Sequence, residues 1–237
     1  MKRTLFLSVG LVLSLLGAAA ADDAAIRAAI EEKLEPEEGA SPLVEVKEGA
    51  VLLSGKTRSV WHKTKAIESA LSVEGVVSVE DELEIARGES DAKVAEEVAK
   101  AVNRYPHFTI YDDVSMNIQD GHVTLFGRVT MPYKSDEIGE RASKVLGVQS
   151  VTNEIATLPT NIGDQRLRSS LAYRIYGDSL FREYAFRVNP PIHIVVERGR
   201  VVLTGAVRSE VERRKAELIA RSTFGVFSVE NRLAVGS

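Results

Sequence analysis

The chain is 237 residues long and carries 30 Lys+Arg against 34 Asp+Glu, a net charge of −4. It has no cysteine, which excludes disulfides, thiolate metal sites, a cysteine nucleophile and the cysteine-anchored type of bacterial lipoprotein. Hydrophobic content of 44% suits a globular protein, and an aromatic share of only 6% suits small modules rather than one large core.

Lys2 and Arg3 precede an apolar run from Leu5 to Leu16, which is short for a bilayer span. Gly17-Ala18-Ala19-Ala20-Ala21 then offers the small residues a signal peptidase requires. The pattern predicts a cleaved signal peptide over 1–21, a cut near Ala21–Asp22, and a mature chain soluble in the periplasm. An uncleaved N-terminal anchor is the alternative.

The mature chain repeats one pattern three times. Gly49-Ala50-Val51-Leu52-Leu53-Ser54-Gly55, Gly121-His122-Val123-Thr124-Leu125-Phe126-Gly127 and Gly199-Arg200-Val201-Val202-Leu203-Thr204-Gly205 share the form G-x-V-x-L-x-G. Twenty residues past the second glycine of each stands another: Gly75, Gly147 and Gly225. Generic turn punctuation does not reproduce that spacing three times.

Each copy reads as the same chain of elements. An amphipathic helix comes first, with stripes Ile26/Ile30/Leu34, Val94/Val98/Val102 and Leu167/Leu171/Ile175. An alternating strand follows, carrying Val44/Val46, Met116/Ile118 or Ile192/Ile194. Gly49, Gly121 or Gly199 makes a hairpin turn with positive φ into the next strand. A second helix is predicted to turn inward Ile67 and Leu71, then Ile138, Ala142 and Val145, then Val211, Leu218 and Ile219. Gly75, Gly147 or Gly225 caps it, and a last strand ends at Leu83, Ile155 or Leu233. The expected fold is α+β: three tandem α-β-β-α-β modules over 22–89, 90–160 and 161–237, each a three-stranded mixed sheet covered by two helices.

The G-x-V-x-L-x-G strand and the ending Gly225-Val226-Phe227-Ser228-Val229-Glu230-Asn231-Arg232-Leu233 resemble the BON domain (bacterial osmotically inducible and nodulation). Asn153 stands at the matching place in the second copy, and Asp81 in the first. The resemblance implies the α-β-β-α-β fold, an envelope setting, and roles in phospholipid binding and envelope integrity under stress. It brings no catalytic motif and no cofactor.

Charge is unevenly divided. Residues 22–89 hold 8 Lys+Arg and 16 Asp+Glu, residues 90–160 hold 7 and 10, and residues 161–237 hold 13 and 8. Arginine makes up 12 of those 13 cations, and it grips phosphate and carboxylate as a planar fork. Over 166–187 the chain interleaves Arg168, Arg174, Arg182 and Arg187 with Tyr173, Tyr176, Phe181, Tyr184 and Phe186. Rings at headgroup depth beside cations suit an anionic phospholipid surface, so Arg168, Arg174, Arg182, Arg187, Tyr173, Tyr176, Phe181 and Tyr184 form the candidate lipid-facing set. The alternative is structural: Tyr173 and Tyr176 extend the buried stripe, and Phe181, Tyr184 and Phe186 pack a small extra helix onto the sheet. The arginines then bridge to the acidic first copy.

No two of His62, His107, His122 and His193 have metal-ligand spacing. His193, between two inward isoleucines, is expected on the outer face of its strand. Asp112-Asp113 precedes a strand and reads as turn chemistry. Trp61 opens a helix either as a partner anchor or as a half-buried starting residue. No nucleophile elbow or phosphate loop occurs. The expected function is non-enzymatic, without cofactor or nucleic acid: binding of phospholipid surfaces, or alternatively of envelope proteins as a scaffold or chaperone-like module.

Overall fold

The computed structural model describes residues 22–34, 41–86 and 90–236, so the expected signal peptide and its cut lie outside the described residues. In chain order the elements are α1 (22–33), β1 (Ser41–Lys47), β2 (Ala50–Thr57), α2 (Val60–Leu71) and β3 (Ser78–Ile85). Next come α3 (Asp91–Asn103), β4 (Asp113–Gln119), β5 (His122–Val129), α4 (Pro132–Ser143) and β6 (Ser150–Thr157). The third set is α5 (Ile162–Gly177), α6 (Arg182–Ala185), β7 (Ile192–Glu197), β8 (Arg200–Val207), α7 (Glu210–Arg221), β9 (Ser228–Asn231) and β10 (Ala234–Val235). In every set the first two strands pair antiparallel and the last returns parallel to the middle one. The third sheet gains a fourth strand because its closing strand breaks at Arg232 and Leu233, and β10 resumes beside Ala206 and Val207.

The chain divides into two compact units: Met1–Ser90 with Ser143–Gln149, and Asp91–Ala142 with Ser150–Ser237. In the first, Ile26 and Ile30 of α1 pack on Val44, Val51, Leu53 and Leu83 of the sheet and on Ala66 and Ala70 of α2. Ala66 and Ala70 are thus the fully buried residues of α2, the expected Ile67 packs against the same core, and the expected Leu71 does not. Ile67 is half-buried and Leu71 is exposed. Residues 143–149 belong to this unit through main-chain bonds: the Gly147 N–H donates to the Arg58 carbonyl and the Val60 N–H to the Val148 carbonyl, both at 3.2 Å. Lys144 lies 4.5 Å from the centre of the half-buried Trp61 ring. The expected inward Val145 is half-buried.

In the second unit the predicted stripes of α3 and α5 are buried. Ile138 and Ala142 of α4 are buried as expected. On α7 the expectation fails at two of three positions: Ile219 points inward, but Val211 and Leu218 are exposed, and Glu212, Ala216 and Ala220 complete the inward face. Bulk misled the assignment in both helices, because small alanines let α2 and α7 lie close on their sheets. His193 lies on the outer face of its strand, as expected, but is half-buried there. Its Nδ1 donates to the Asp112 carbonyl at 2.6 Å, and its ring tilts against Phe108. Beside it the Ile194 N–H donates to the Ile110 carbonyl, and Thr204 donates to Asp113 at 2.8 Å.

The three hairpin turns share a geometry. Glu48, Asp120 and Arg198 have φ near +50°, and Gly49, Gly121 and Gly199 follow at +78°, +78° and +73°, the two positive angles of a type I′ turn. A carboxylate from the first helix holds each turn. Asp23 accepts the Glu48 and Gly49 amides, Asp91 those of Asp120 and Gly121, and Asp164 those of Arg198 and Gly199, all at 2.7–2.9 Å. Charge-assisted bonds of this kind offset the strain of a non-glycine residue at positive φ. The second glycine of the motif meets a steric demand: a Cβ on Gly205 would stand 1.9 Å from the Pro191 carbonyl oxygen, and one on Gly127 2.0 Å from that of Asp113.

Candidate binding surface

The arginine–aromatic segment follows the third module's first helix. Asn161 caps α5 by accepting the Asp164 N–H, and Leu167, Leu171 and Ile175 bury one face. Arg168, half-buried beside that face, donates to the Val196 carbonyl at 3.0 Å. Tyr176 is also half-buried, and its hydroxyl donates to the Ile192 carbonyl. Burial pushes its phenol up, well out of the physiological range.

The short helix α6 turns the rest of the insertion inward. Phe181 is fully buried and stacks on the buried Tyr184 with centroids 6.2 Å apart. The Tyr184 hydroxyl donates to Glu212 at 2.6 Å, and the guanidiniums of Arg187 and Arg208 lie 5.1 Å from its ring centre. Burial pushes the Glu212 carboxyl up, but the Tyr184 hydroxyl and the Arg208 amide and guanidinium together hold it below the ordinary range. A buried carboxylate on α7 is thus satisfied by the insertion that covers it.

Of the eight candidate residues, Phe181 and Tyr184 are core residues and cannot meet a membrane. Arg168 and Tyr176 are bonded to the sheet. Arg174, Arg182, Arg187 and Tyr173 remain at the surface, Tyr173 with 83% of its area exposed. Arg174 donates to the Ser222 hydroxyl at 3.1 Å. Phe186, on the same segment, is 82% exposed. Phe181 and Tyr184 thus pack a small helix onto the sheet as the structural alternative expected, whereas Tyr173 and Phe186, which it also placed inward, face outward.

Sequence reasoning missed a second surface of this module. The turn after α7 exposes Phe224 completely and Phe227 to 80%. Arg198, Arg200 and Phe227 line one groove with Arg128, Glu154 and Arg232. Arg128 pairs there with Glu197 at 3.8 Å and Arg232 with Glu230 at 2.7 Å. Comparing the copies would have found the turn, since Phe224 and Phe227 replace Glu74 and Val77 of the first module and Leu146 and Gln149 of the second. Among the described residues no cluster of three or more histidine, cysteine or acidic side chains could hold a metal, and no helix is long and apolar enough to cross a membrane.

The family model for the BON domain matches residues 22–87, 90–159 and 183–237. The chain belongs to the BON domain family. The third BON match begins within α6, so α5 and the start of the insertion precede it. The Escherichia coli (strain K12) protein "Osmotically-inducible protein Y" is 30% identical over 130 residues, which are 51% of this chain and 61% of that protein. The alignment thus spans less than two thirds of the relative. Among solved structures, the C-terminal domain of CdsD, a structural protein of the type III secretion system of Chlamydia trachomatis, aligns over 89% of this chain and 96% of its own. Its identity is 16% and its TM-score 0.27. The periplasmic domain of the type III secretion inner membrane protein PrgH from S. typhimurium aligns over 83% of this BON chain and 99% of its own, at 11% identity and a TM-score of 0.22.

Proposed function

We propose that this BON-domain protein is exported to the envelope and binds anionic phospholipid surfaces through its third module, in support of envelope integrity under osmotic stress. The observation that carries the reading is the exposure of Tyr173 and Phe186 beside Arg174, Arg182 and Arg187, on a module with 13 cations and 8 anions. Amphipathic rings insert at headgroup depth, and each arginine near an anionic surface adds about 1 kcal/mol. Likeness to an osmotically inducible protein supports the stress setting, and the pattern of Lys2, Arg3 and Leu5–Leu16 supports export.

Co-sedimentation of the mature chain with vesicles of phosphatidylglycerol and phosphatidylcholine tests this. Binding is expected to rise with the anionic fraction and to weaken with added salt. Replacing Arg174, Arg182 and Arg187 together by Glu is expected to abolish it while the far-UV circular dichroism stays unchanged, because all three side chains are exposed. Binding indifferent to both salt and anionic lipid sinks the proposal.

A further inference from the structure

The turn closing α4 is seated within the first unit. Gly147 donates to the Arg58 carbonyl, Val60 donates to the Val148 carbonyl, and the Gln149 amide reaches the Ile85 carbonyl at 3.5 Å. The repeat places the same parts in the third module. Phe224, Gly225, Val226 and Phe227 stand where Leu146, Gly147, Val148 and Gln149 stand, and Arg208, Glu210, Val211 and Val235 where Arg58, Val60, Trp61 and Ile85 stand.

The local conformations agree on both sides. Gly147 and Gly225 have φ of +85° and +92°, and the next amides, Val148 and Val226, each bond three residues back at 3.2 Å. On the receiving side, Ser59 and Ser209 are both extended helix caps, with φ of −156° and −149°. Yet in the third module both halves are open: Phe224 and Phe227 stand out on the turn, Val211 is 68% exposed and Val235 44%. The second module cannot serve as receiver, because Pro132 occupies the place of Val60 and has no N–H to donate.

We propose that the third modules of two copies of this chain associate head to tail. The Gly225 N–H of one donates to the Arg208 carbonyl of the next, whose Glu210 N–H donates to the Val226 carbonyl of the first. Phe227 then falls on Val235, as Gln149 falls on Ile85. A second copy is favoured over lipid because the turn presents a donor and an acceptor spaced for a main-chain partner. Glu210 N–H is moreover a first-turn helix amide with no intrahelical acceptor. Such an interface is heterologous and leaves a free turn and a free receiver at the ends of every assembly.

Sedimentation of the full mature chain across a concentration series tests it, with two variants. Phe224→Asp with Phe227→Asp disables the turn. Glu210→Pro removes the receiving amide, together with the exposed Glu210 pairings to Arg213 and Arg214, at a first helical position where proline is tolerated. Wild type is expected to gain average mass with concentration, and each variant to remain monomeric. A mixture of the two variants is expected to reach twice the monomer mass and stop there, since the Pro variant retains a turn and the Asp variant a receiver. Circular dichroism of each variant checks that the fold is intact. A wild type that stays monomeric at all concentrations overturns the proposal, whether the turn variant also loses vesicle binding (which makes the turn a membrane anchor) or not. A variant mixture that stays monomeric overturns it equally.

Discussion

Asp23, Asp91 and Asp164 each set both carboxylate oxygens on the two amides of a turn whose residues lie at positive φ. Asp164 is buried, so truncation leaves two amides without their acceptor. Asp164→Ala is expected to cost about 3 kcal/mol in denaturant unfolding, at roughly 1.5 kcal/mol for each bond to a charged group. Amide exchange at Arg198 and Gly199 should accelerate most. A loss below about 0.5 kcal/mol would mean that water replaces the carboxylate at no cost. The glycines of these turns were legible in the sequence because their spacing recurs without gaps. The aspartates were not, because they precede their glycines by 26, 30 and 35 residues. The groups facing them are main-chain amides, which leave no mark on composition. A related exchange links strand to helix: Asn153 and Asn231 donate to the Ser135 and Arg213 carbonyls, while the first module pairs Asp81 with Lys63 at 2.8 Å.

The loop between α3 and β4 turns on Asp112, which was read as simple turn chemistry. It is that, since Asp112 accepts the Thr109 amide and hydroxyl, but it also holds the start of α4. Its other partners are the Thr130 amide and hydroxyl and the buried Lys134 ammonium at 2.7 Å. Burial pushes the Asp112 carboxyl up, yet the bonds from Lys134, Thr109 and Thr130 hold it below the ordinary carboxylate value. A lowered native value means that the stabilisation is present above the unfolded pKa of about 3.9 and drains away as pH falls below it. Asp112→Asn is expected to cost about 3–5 kcal/mol at neutral pH, because Lys134 is left buried without its counter-charge. The gap between wild type and variant should narrow from pH 5 to pH 2. Unfolding curves that stay parallel over that range would contradict this linkage. Helix faces were legible only in part. Apolar stripes of α1, α3 and α5 stand out by size, whereas α2 and α7 bury alanines that a search for bulky residues passes over. The insertion before β7 announced itself by length and composition. Which of its rings turn inward depends on Glu212, thirty residues downstream of Arg182, and no local pattern encodes that.

Taken whole, the chain is acidic, yet its third module is basic. An anionic surface therefore repels the molecule on average and attracts its third module, and the balance depends on ionic strength within a Debye length of about 8–10 Å. Since nearly all of those cations are arginine, the contact should depend on the planar fork as well as on charge. Replacing Arg174, Arg182 and Arg187 by Lys is expected to retain the salt dependence of vesicle binding and to weaken affinity a few-fold. Equal affinity would mean that charge alone is read. Membership of the BON family and the α+β repeat could be reached from the sequence, because glycine spacing and apolar alternation encode both. The exposed turn at Phe224 could not be reached from one copy, as its meaning appears only beside the seated turn at Gly147.

The carboxylate grip on each hairpin has one more outcome. Because a helix side chain ties each turn in place, the third module's chain between α5 and β7 can lengthen without moving its turn. It is slack held between two posts. The third module has used the slack to lodge α6, with the turn geometry the same to within a few degrees of its siblings. New sequence placed beside the exposed Val188, between α6 and β7, should hang from the scaffold in the same way. A family so built can acquire fresh surface without relearning how to fold.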